Sequence, residues 1–171
     1  MNIIFERVLP NENAKILEVY KILKNCGEEM YRNQGLIHWK APYPIKSIKK
    51  NCMEREVFLT KDLYKNEYVN TFQLEFVNNT SEKFSEMQKK RFNVVNVSKF
   101  ATNPKDTGRG IGKKSMEFIE TYCRNKGISK LSLDVYTESN NAIRFYRNMG
   151  FRITSEKPTR CFKVYVMEKQ L

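Results

Sequence analysis

Thr107-Gly108-Arg109-Gly110-Ile111-Gly112 is the stretch of this chain best suited to do chemistry. Glycines at 108, 110 and 112 let the backbone approach a ligand closely, because no Cβ stands in the way. The residues that follow, Lys113-Lys114-Ser115-Met116-Glu117-Phe118-Ile119-Glu120, read as the opening of a helix. The first N–H groups of a helix have no intrahelical acceptor, and the helix dipole adds partial positive charge to them. A glycine turn that opens a helix is therefore fitted to hold a phosphate. It is not a Walker A loop, since Gly-x-x-x-x-Gly-Lys-Ser/Thr is absent. Nor does it have the Gly-x-Gly-x-x-Gly spacing of a dinucleotide fingerprint.

Elements on both sides must position this turn. Val94-Val95-Asn96-Val97-Ser98-Lys99-Phe100-Ala101 reads as a buried strand leading into it. The helix behind it runs to about Lys126 and stops at Gly127. Leu131 to Tyr136 alternates as a strand, Ser139 to Met149 is helical and ends at Gly150, and 151–155 and 161–168 read as two last strands with Pro158 in their turn. Upstream, residues 2–9 read as a strand, and Asn11 or Asn13 could cap a helix over Ala14 to Leu23. A second helix is expected from Gly27 to Gln34, stopped by Gly35, and a short one from Ile45 to Asn51. Pro42 and Pro44 exclude a regular helix between those two. Val57 to Thr60 and Tyr68 to Val77 look like strands joined near Asn66-Glu67, the second with Phe72, Leu74 and Phe76 on one face. The polar 78–91 stretch reads as a loop. Strands first, then strand–helix–strand–helix–strands, make a mixed-sheet α/β (α+β) domain.

The glycine turn, the strand before it and Asn140-Asn141-Ala142-Ile143-Arg144-Phe145-Tyr146-Arg147-Asn148-Met149-Gly150-Phe151 occur in an order that resembles the GNAT superfamily of acetyl-CoA-dependent N-acetyltransferases. The resemblance is strongest over about residues 93–168 and identifies no subfamily. It implies one domain over 1–171, with a mixed, mostly antiparallel sheet of six to seven strands and about four helices. In the family pattern Arg/Gln-x-x-Gly-x-Gly/Ala, Gly110 and Gly112 match, but Thr107 takes the first position. A hydroxyl there can donate to a phosphate but carries no charge.

By this resemblance, the backbone N–H groups of Gly108, Arg109, Gly110, Ile111, Gly112 and Lys113 bind the pyrophosphate of CoA, with Arg109, Lys113 and Lys114 adding charge. Phe100, Ala101 and Thr102 lie where the family's strand bulges and pairs with pantetheine in strand-like fashion. The strand holding Val135 and Tyr136 would splay from it and admit the acetyl group. Tyr146 matches the tyrosine near the thioester sulfur, where a phenol can protonate the leaving thiolate. One of Ser139, Asn140 and Asn141 bonds the pantetheine arm, or each simply caps the helix. Glu75 is the first candidate for general base, and His38, beside Trp39 and Pro42-Tyr43-Pro44, the second. Water-mediated deprotonation is the third route.

The implied activity is acetyl transfer from acetyl-CoA to a primary amine of a small molecule or peptide by direct attack, with no metal. Two alternatives stand beside it. One is a CoA-binding sensor without turnover, suggested by Thr107 and the missing base. The other is a nucleic-acid-binding module, suggested by a net charge of +12. No recognition motif for nucleic acid accompanies that charge, and its basic residues are mixed with acidic ones, so nucleic acid is not an expected partner. The charge favours acidic or neutral acceptors over polyamines. Cys26, Cys52, Cys123 and Cys161 form no CxxC pair, which argues for reduced thiols and against zinc. With no long apolar run and no leader-like N-terminus, the expected setting is cytoplasmic, away from the membrane. Relatives commonly form homodimers.

Overall fold

The computed structural model describes residues 2–39, 43–77 and 93–171, apart from the side chain of His38. Along these residues run β1 (Ile3–Val8), α1 (Asn13–Gln34), α2 (Ile45–Glu54), β2 (Glu56–Asp62), β3 (Glu67–Val77), β4 (Val94–Thr102), α3 (Ile111–Asn125), β5 (Lys130–Tyr136), α4 (Asn140–Asn148), β6 (Arg152–Pro158) and β7 (Lys163–Gln170). Short 3-10 turns span Ile37–Trp39 and Pro104–Asp106. The sheet has seven strands in the order β1-β2-β3-β4-β5-β7-β6. β1/β2, β2/β3, β5/β7 and β6/β7 pair antiparallel, and β4/β5 is parallel. This is the mixed, mostly antiparallel architecture the sequence predicts. The 78–91 loop expected from the sequence lies outside the described residues.

The chain divides into two compact units, Met1–Leu74 with Ser98–Ser115, and Glu75–Val97 with Met116–Leu171. In the first, Ile16, Val19, Ile22, Leu23 and Cys26 form the apolar stripe of α1 and pack with Ile48 and Cys52 of α2. Val8, Val57, Leu59 and Ala101 supply the sheet side of this core. The two helices expected at 14–23 and 27–34 are one helix of 22 residues. Gly27 does not break it. A Cβ at Gly27 would stand 3.2 Å from both the carbonyl oxygen and a ring carbon of Trp39, so the glycine serves close packing instead. The helix stops at Gly35, where φ is 64°. The Gly35 N–H donates to the Tyr31 carbonyl and the Leu36 N–H to the Met30 carbonyl, a left-handed C-terminal cap. Neither Asn11 nor Asn13 caps the other end: Glu12 sits at the N-cap, and its carboxylate accepts the Leu9 N–H at 2.8 Å.

β3 departs from simple alternation. Phe72 and Leu74 are buried as expected, but so are Asn70 on the same face and Thr71 and Gln73 on the other. Because β3 is buried on both faces from Val69 to Leu74, its polar side chains need internal partners. Thr71 Oγ1 donates to the Phe58 carbonyl, and Gln73 Nε2 donates to Ser98 Oγ at 2.7 Å. Asn70 Nδ2 donates to Thr102 Oγ1 on β4 at 3.0 Å, while its Oδ1 accepts from Thr60 Oγ1 on β2. Thr60 in turn meets Ser115 Oγ in the first turns of α3 at 3.3 Å. A polar chain thus runs from α3 through β2 and β3 to the end of β4.

In the second unit, Val94, Val95 and Asn96 pair with Lys130, Leu131 and Ser132. Leu131, Leu133 and Val135 of β5 and Met116, Ile119 and Cys123 of α3 are buried. Gly127 (φ 73°) ends α3, its N–H donating to the Arg124 carbonyl. Pro158 closes β6 rather than entering the turn, which is tied instead by the Thr159 N–H to the Phe162 carbonyl at 2.7 Å. All four cysteines are free thiols.

Asn70→Ala should leave the Thr60 and Thr102 hydroxyls short of a partner in a buried place. The expected loss is about 1–3 kcal/mol of unfolding free energy, read from the urea midpoint. An unchanged midpoint would show that the polar chain carries no stability.

Candidate active site

The glycine turn lies wholly in the first unit, between the 3-10 turn Pro104–Asp106 and α3. Gly108 and Gly110 both have φ of 76°, and a Cβ built on either meets no atom within 4 Å. Glycine is therefore required here by backbone conformation, while the space above the turn stays open. Among the described residues, the N–H groups of Gly108, Arg109, Gly110, Ile111 and Gly112 donate to no backbone carbonyl. The first such bond of the helix is Lys114 N–H to the Gly110 carbonyl at 3.1 Å. Several donors consequently point out of an exposed turn at a helix N-terminus, which is an anion cradle. Lys113 and Lys114 are exposed beside it.

Arg109 does not stand free over this cradle. One guanidinium nitrogen donates to Asp62 Oδ2 at 2.8 Å and another to Asp106 Oδ1 at 2.7 Å. Lys65 Nζ donates to the same Asp106 oxygen at 2.7 Å. Both carboxylates are buried, whereas the Arg109 side chain is about one-third exposed (36%). The Arg109 hydrogen bond, helped by the Tyr64 N–H, holds the Asp62 carboxyl below its usual range despite burial. The two carboxylates raise the guanidinium pKa further in return. Two cations thus meet two anions, and the charge expected for a phosphate is largely neutralised. Arg109 ties the turn to β2. Thr107 is also occupied: its hydroxyl donates to the Pro104 carbonyl at 2.8 Å and stiffens the turn.

β4 ends next to this turn. Lys99 has a φ of 48°, one of two non-glycine residues described with a left-handed backbone. Inside a strand, that conformation marks a local break in the ladder, one residue before the expected Phe100. Phe100 is half-buried with its ring 6.2 Å from that of Phe72. Ala101 is in the core, and Thr102 accepts from Asn70. The β4–β5 ladder covers Val94–Asn96 only, so residues 98–102 are not paired to β5 in it.

Tyr146 lies in the second unit, half-buried on α4, with its ring 5.7 Å from Phe151 and 5.1 Å from Phe145. Gly150 (φ 88°) turns the chain so that the Phe151 N–H donates to the Tyr146 carbonyl at 3.0 Å. Ser139 is the N-cap of α4: it is buried, its carbonyl accepts the Ile143 N–H, and its side chain makes no capping bond. Asn140 and Asn141 are exposed, and Asn141 Oδ1 accepts from Arg144. Glu75, also in the second unit, is half-buried on β3. The expected site residues are thus grouped as Phe100 to Lys113 in one unit and Glu75, Ser139 to Asn141 and Tyr146 in the other. Sequence reading missed Asp62, Asp106 and Lys65. A lone carboxylate in a strand carries no signal until its partner, 47 residues away, is placed beside it.

The open cradle of N–H donors fits a pyrophosphate, and the end of β4, which the ladder does not pair with β5, fits an extended amide arm. Among the described residues, no group of three or more His, Cys, Asp and Glu side chains could hold a metal. No described helix is long and apolar enough to cross a membrane.

The model of the acetyltransferase (GNAT) family matches residues 20–151. The chain belongs to this family and is an acyltransferase of the GNAT type. Its fold is shared with the ribosomal-protein-S18-alanine N-acetyltransferase from Escherichia coli, at a TM-score of 0.72, with 14% identity over 99% of this chain and 94% of that one. A GNAT family acetyltransferase from Elizabethkingia anophelis with acetyl-CoA bound gives 0.69, at 16% identity over 99% of each chain. The PaiA N-acetyltransferase from Thermoplasma acidophilum in complex with coenzyme A also gives 0.69, at 15% identity over 100% of each. No curated protein matches the sequence.

The Arg109–Asp62 pair makes a prediction in acid. A carboxyl whose folded pKa lies below its unfolded value, about 3.9, contributes fully above that value. The contribution fades as pH falls through the folded one. Arg109→Gln removes it, so the variant's melting temperature should be lower at pH 6 and should fall less than the wild type's between pH 4 and pH 2. Parallel curves for the two proteins would show that the pair does not stabilise the fold.

Proposed function

We propose that this protein transfers an acetyl group from acetyl-CoA to a primary amine by direct attack, using the glycine turn as its pyrophosphate site. The observation that carries this reading is the turn itself. Gly108 and Gly110 are left-handed, five N–H groups lack a backbone acceptor among the described residues, and the space above is open. Bound acetyl-CoA would supply the activated thioester. The N–H groups of Gly108 to Lys113 hold its pyrophosphate, and Lys113 and Lys114 add the charge that Arg109 has given to Asp62 and Asp106. Arg109 is a positioning residue in this scheme, and so is Thr107. Phe100, Ala101 and Thr102 offer main-chain groups to the pantetheine arm, which Ser139, Asn140 or Asn141 contacts from α4.

Tyr146 is the proton donor. As the amine nitrogen bonds to the carbonyl carbon and the C–S bond breaks, the phenol gives its proton to the departing thiolate. The amine must lose a proton as well, and Glu75 is the described carboxylate proposed for that task. The side chain of His38, the other candidate, lies outside the described residues. The acceptor is a small molecule or a peptide amine.

Two measurements test this reading. Tyr146→Phe should lower kcat by about a hundredfold or more while leaving CoA affinity by calorimetry unchanged; unaltered turnover would remove the acid role. Gly110→Val places a branched side chain at a left-handed φ and in the cradle, so CoA binding should fall sharply. Full CoA affinity in a folded Gly110→Val protein would move the pyrophosphate elsewhere.

A further inference from the structure

Lys99 has no part in the scheme above. It is half-buried on β4 and adopts φ of 48°, a conformation that costs an ordinary side chain free energy. Strain of this kind inside a strand is a pointer to function. Its Nζ sits 4.4 Å from the centroid of the Tyr43 ring, just ahead of α2. Arg55, at the end of α2, acts on Lys99 with like charge, and Cys52 of α2 is the other group that feels it. Ala101, two residues along β4, packs in the core with Ile48 and Cys52. The Lys99 side chain therefore faces the α2 layer of the first unit.

Among the described residues, no carboxylate pairs with Lys99. Burial, with Arg55 adding to it, pushes its pKa down to about 8. The group is still mostly protonated at pH 7, yet it feels a second cation, Arg55, and the ring face of Tyr43 is the described contact of its ammonium. An arriving anion would relieve both penalties, because it would satisfy the ammonium and offset the repulsion. Arg109, another partly buried cation of this unit, has its two carboxylates already. Lys99 is the contrasting case.

We propose that Lys99 binds an anionic group, a carboxylate or a phosphate, on the acetyl acceptor, so that the substrates are small amines that also carry a negative charge. The inference rests on the acetyltransferase reading, since it takes the segment Phe100–Thr102 beside Lys99 as the place of the thioester arm. It agrees with the chain's net charge of +12, which draws anions and repels polyamines.

The test is CoA-thiol release with paired acceptors: L-amino acids against their carboxamides, and phosphoethanolamine against ethanolamine. The wild type should prefer the charged member of at least one pair by about tenfold or more in kcat/KM, and the pair concerned tells carboxylate from phosphate. Lys99→Met should raise KM for that charged acceptor alone, leaving its neutral partner and CoA affinity as they were. Lys99→Arg should restore much of the preference. Turnover with no preference in either pair, or an equal loss for both members in Lys99→Met, would overturn the proposal. If the protein binds no CoA and acetylates nothing, the acetyltransferase reading fails. The anion site is then read by calorimetry with inorganic phosphate and with N-acetylglycine against N-acetylglycinamide. Anion binding that Lys99→Met abolishes would support the site, and no binding would refute it.

Discussion

The ion pairs of Arg109 with Asp62 and Asp106 are the constraint on which the candidate site depends. A turn with two left-handed glycines is an entropic liability, because glycine loses more freedom on folding than any other residue. Arg109 lies between those glycines and is fixed at two carboxylates, one on β2 and one in the preceding 3-10 turn. Since both carboxylates are buried, each needs its partner far more than a surface acid would. The turn is thereby set before any ligand arrives, and preorganisation of this kind spares a binding site the cost of ordering its loop. The Ser115–Thr60–Asn70–Thr102 chain adds a second tie, joining the first turns of α3 to the end of β4.

This arrangement changes how the cradle works. Its positive charge comes from oriented N–H groups, the helix end and the exposed lysines 113 and 114, because the arginine is spent on structure. Thr107 at the first position of the family pattern fits the same division. Its hydroxyl closes the turn onto Pro104. A net charge of +12 therefore says less about the phosphate site than about the surface, where lysines are paired with acids at Lys15, Lys21, Lys105 and Lys163. Among the described residues, Lys99 is a partly buried cation with no such pairing.

Much of the fold was legible in the sequence, for local reasons. Glycines at 35, 127 and 150 end helices, and all three have positive φ. Alternation located β5. Gly27 misled, because a glycine that punctuates a helix and one that admits a neighbouring backbone look alike in sequence. β3 also misled in part: alternation presumes one wet face, and its polar residues have partners on β2 and β4 that only the register reveals. At the site, the glycine turn was legible because its chemistry is contiguous. Asp62 and Lys65 were not, because their role is set by residues more than forty positions away.

The central claim is that the backbone of the glycine turn holds the pyrophosphate of CoA. Backbone amide NMR tests it most directly, by titrating the labelled protein with CoA and, separately, with pantetheine, which lacks the pyrophosphate. The amides of Gly108, Arg109, Gly110, Ile111 and Gly112 should shift strongly with CoA and hardly at all with pantetheine, while those of residues 98–102 respond to both. If CoA binds and leaves the five turn amides unmoved, the account is wrong.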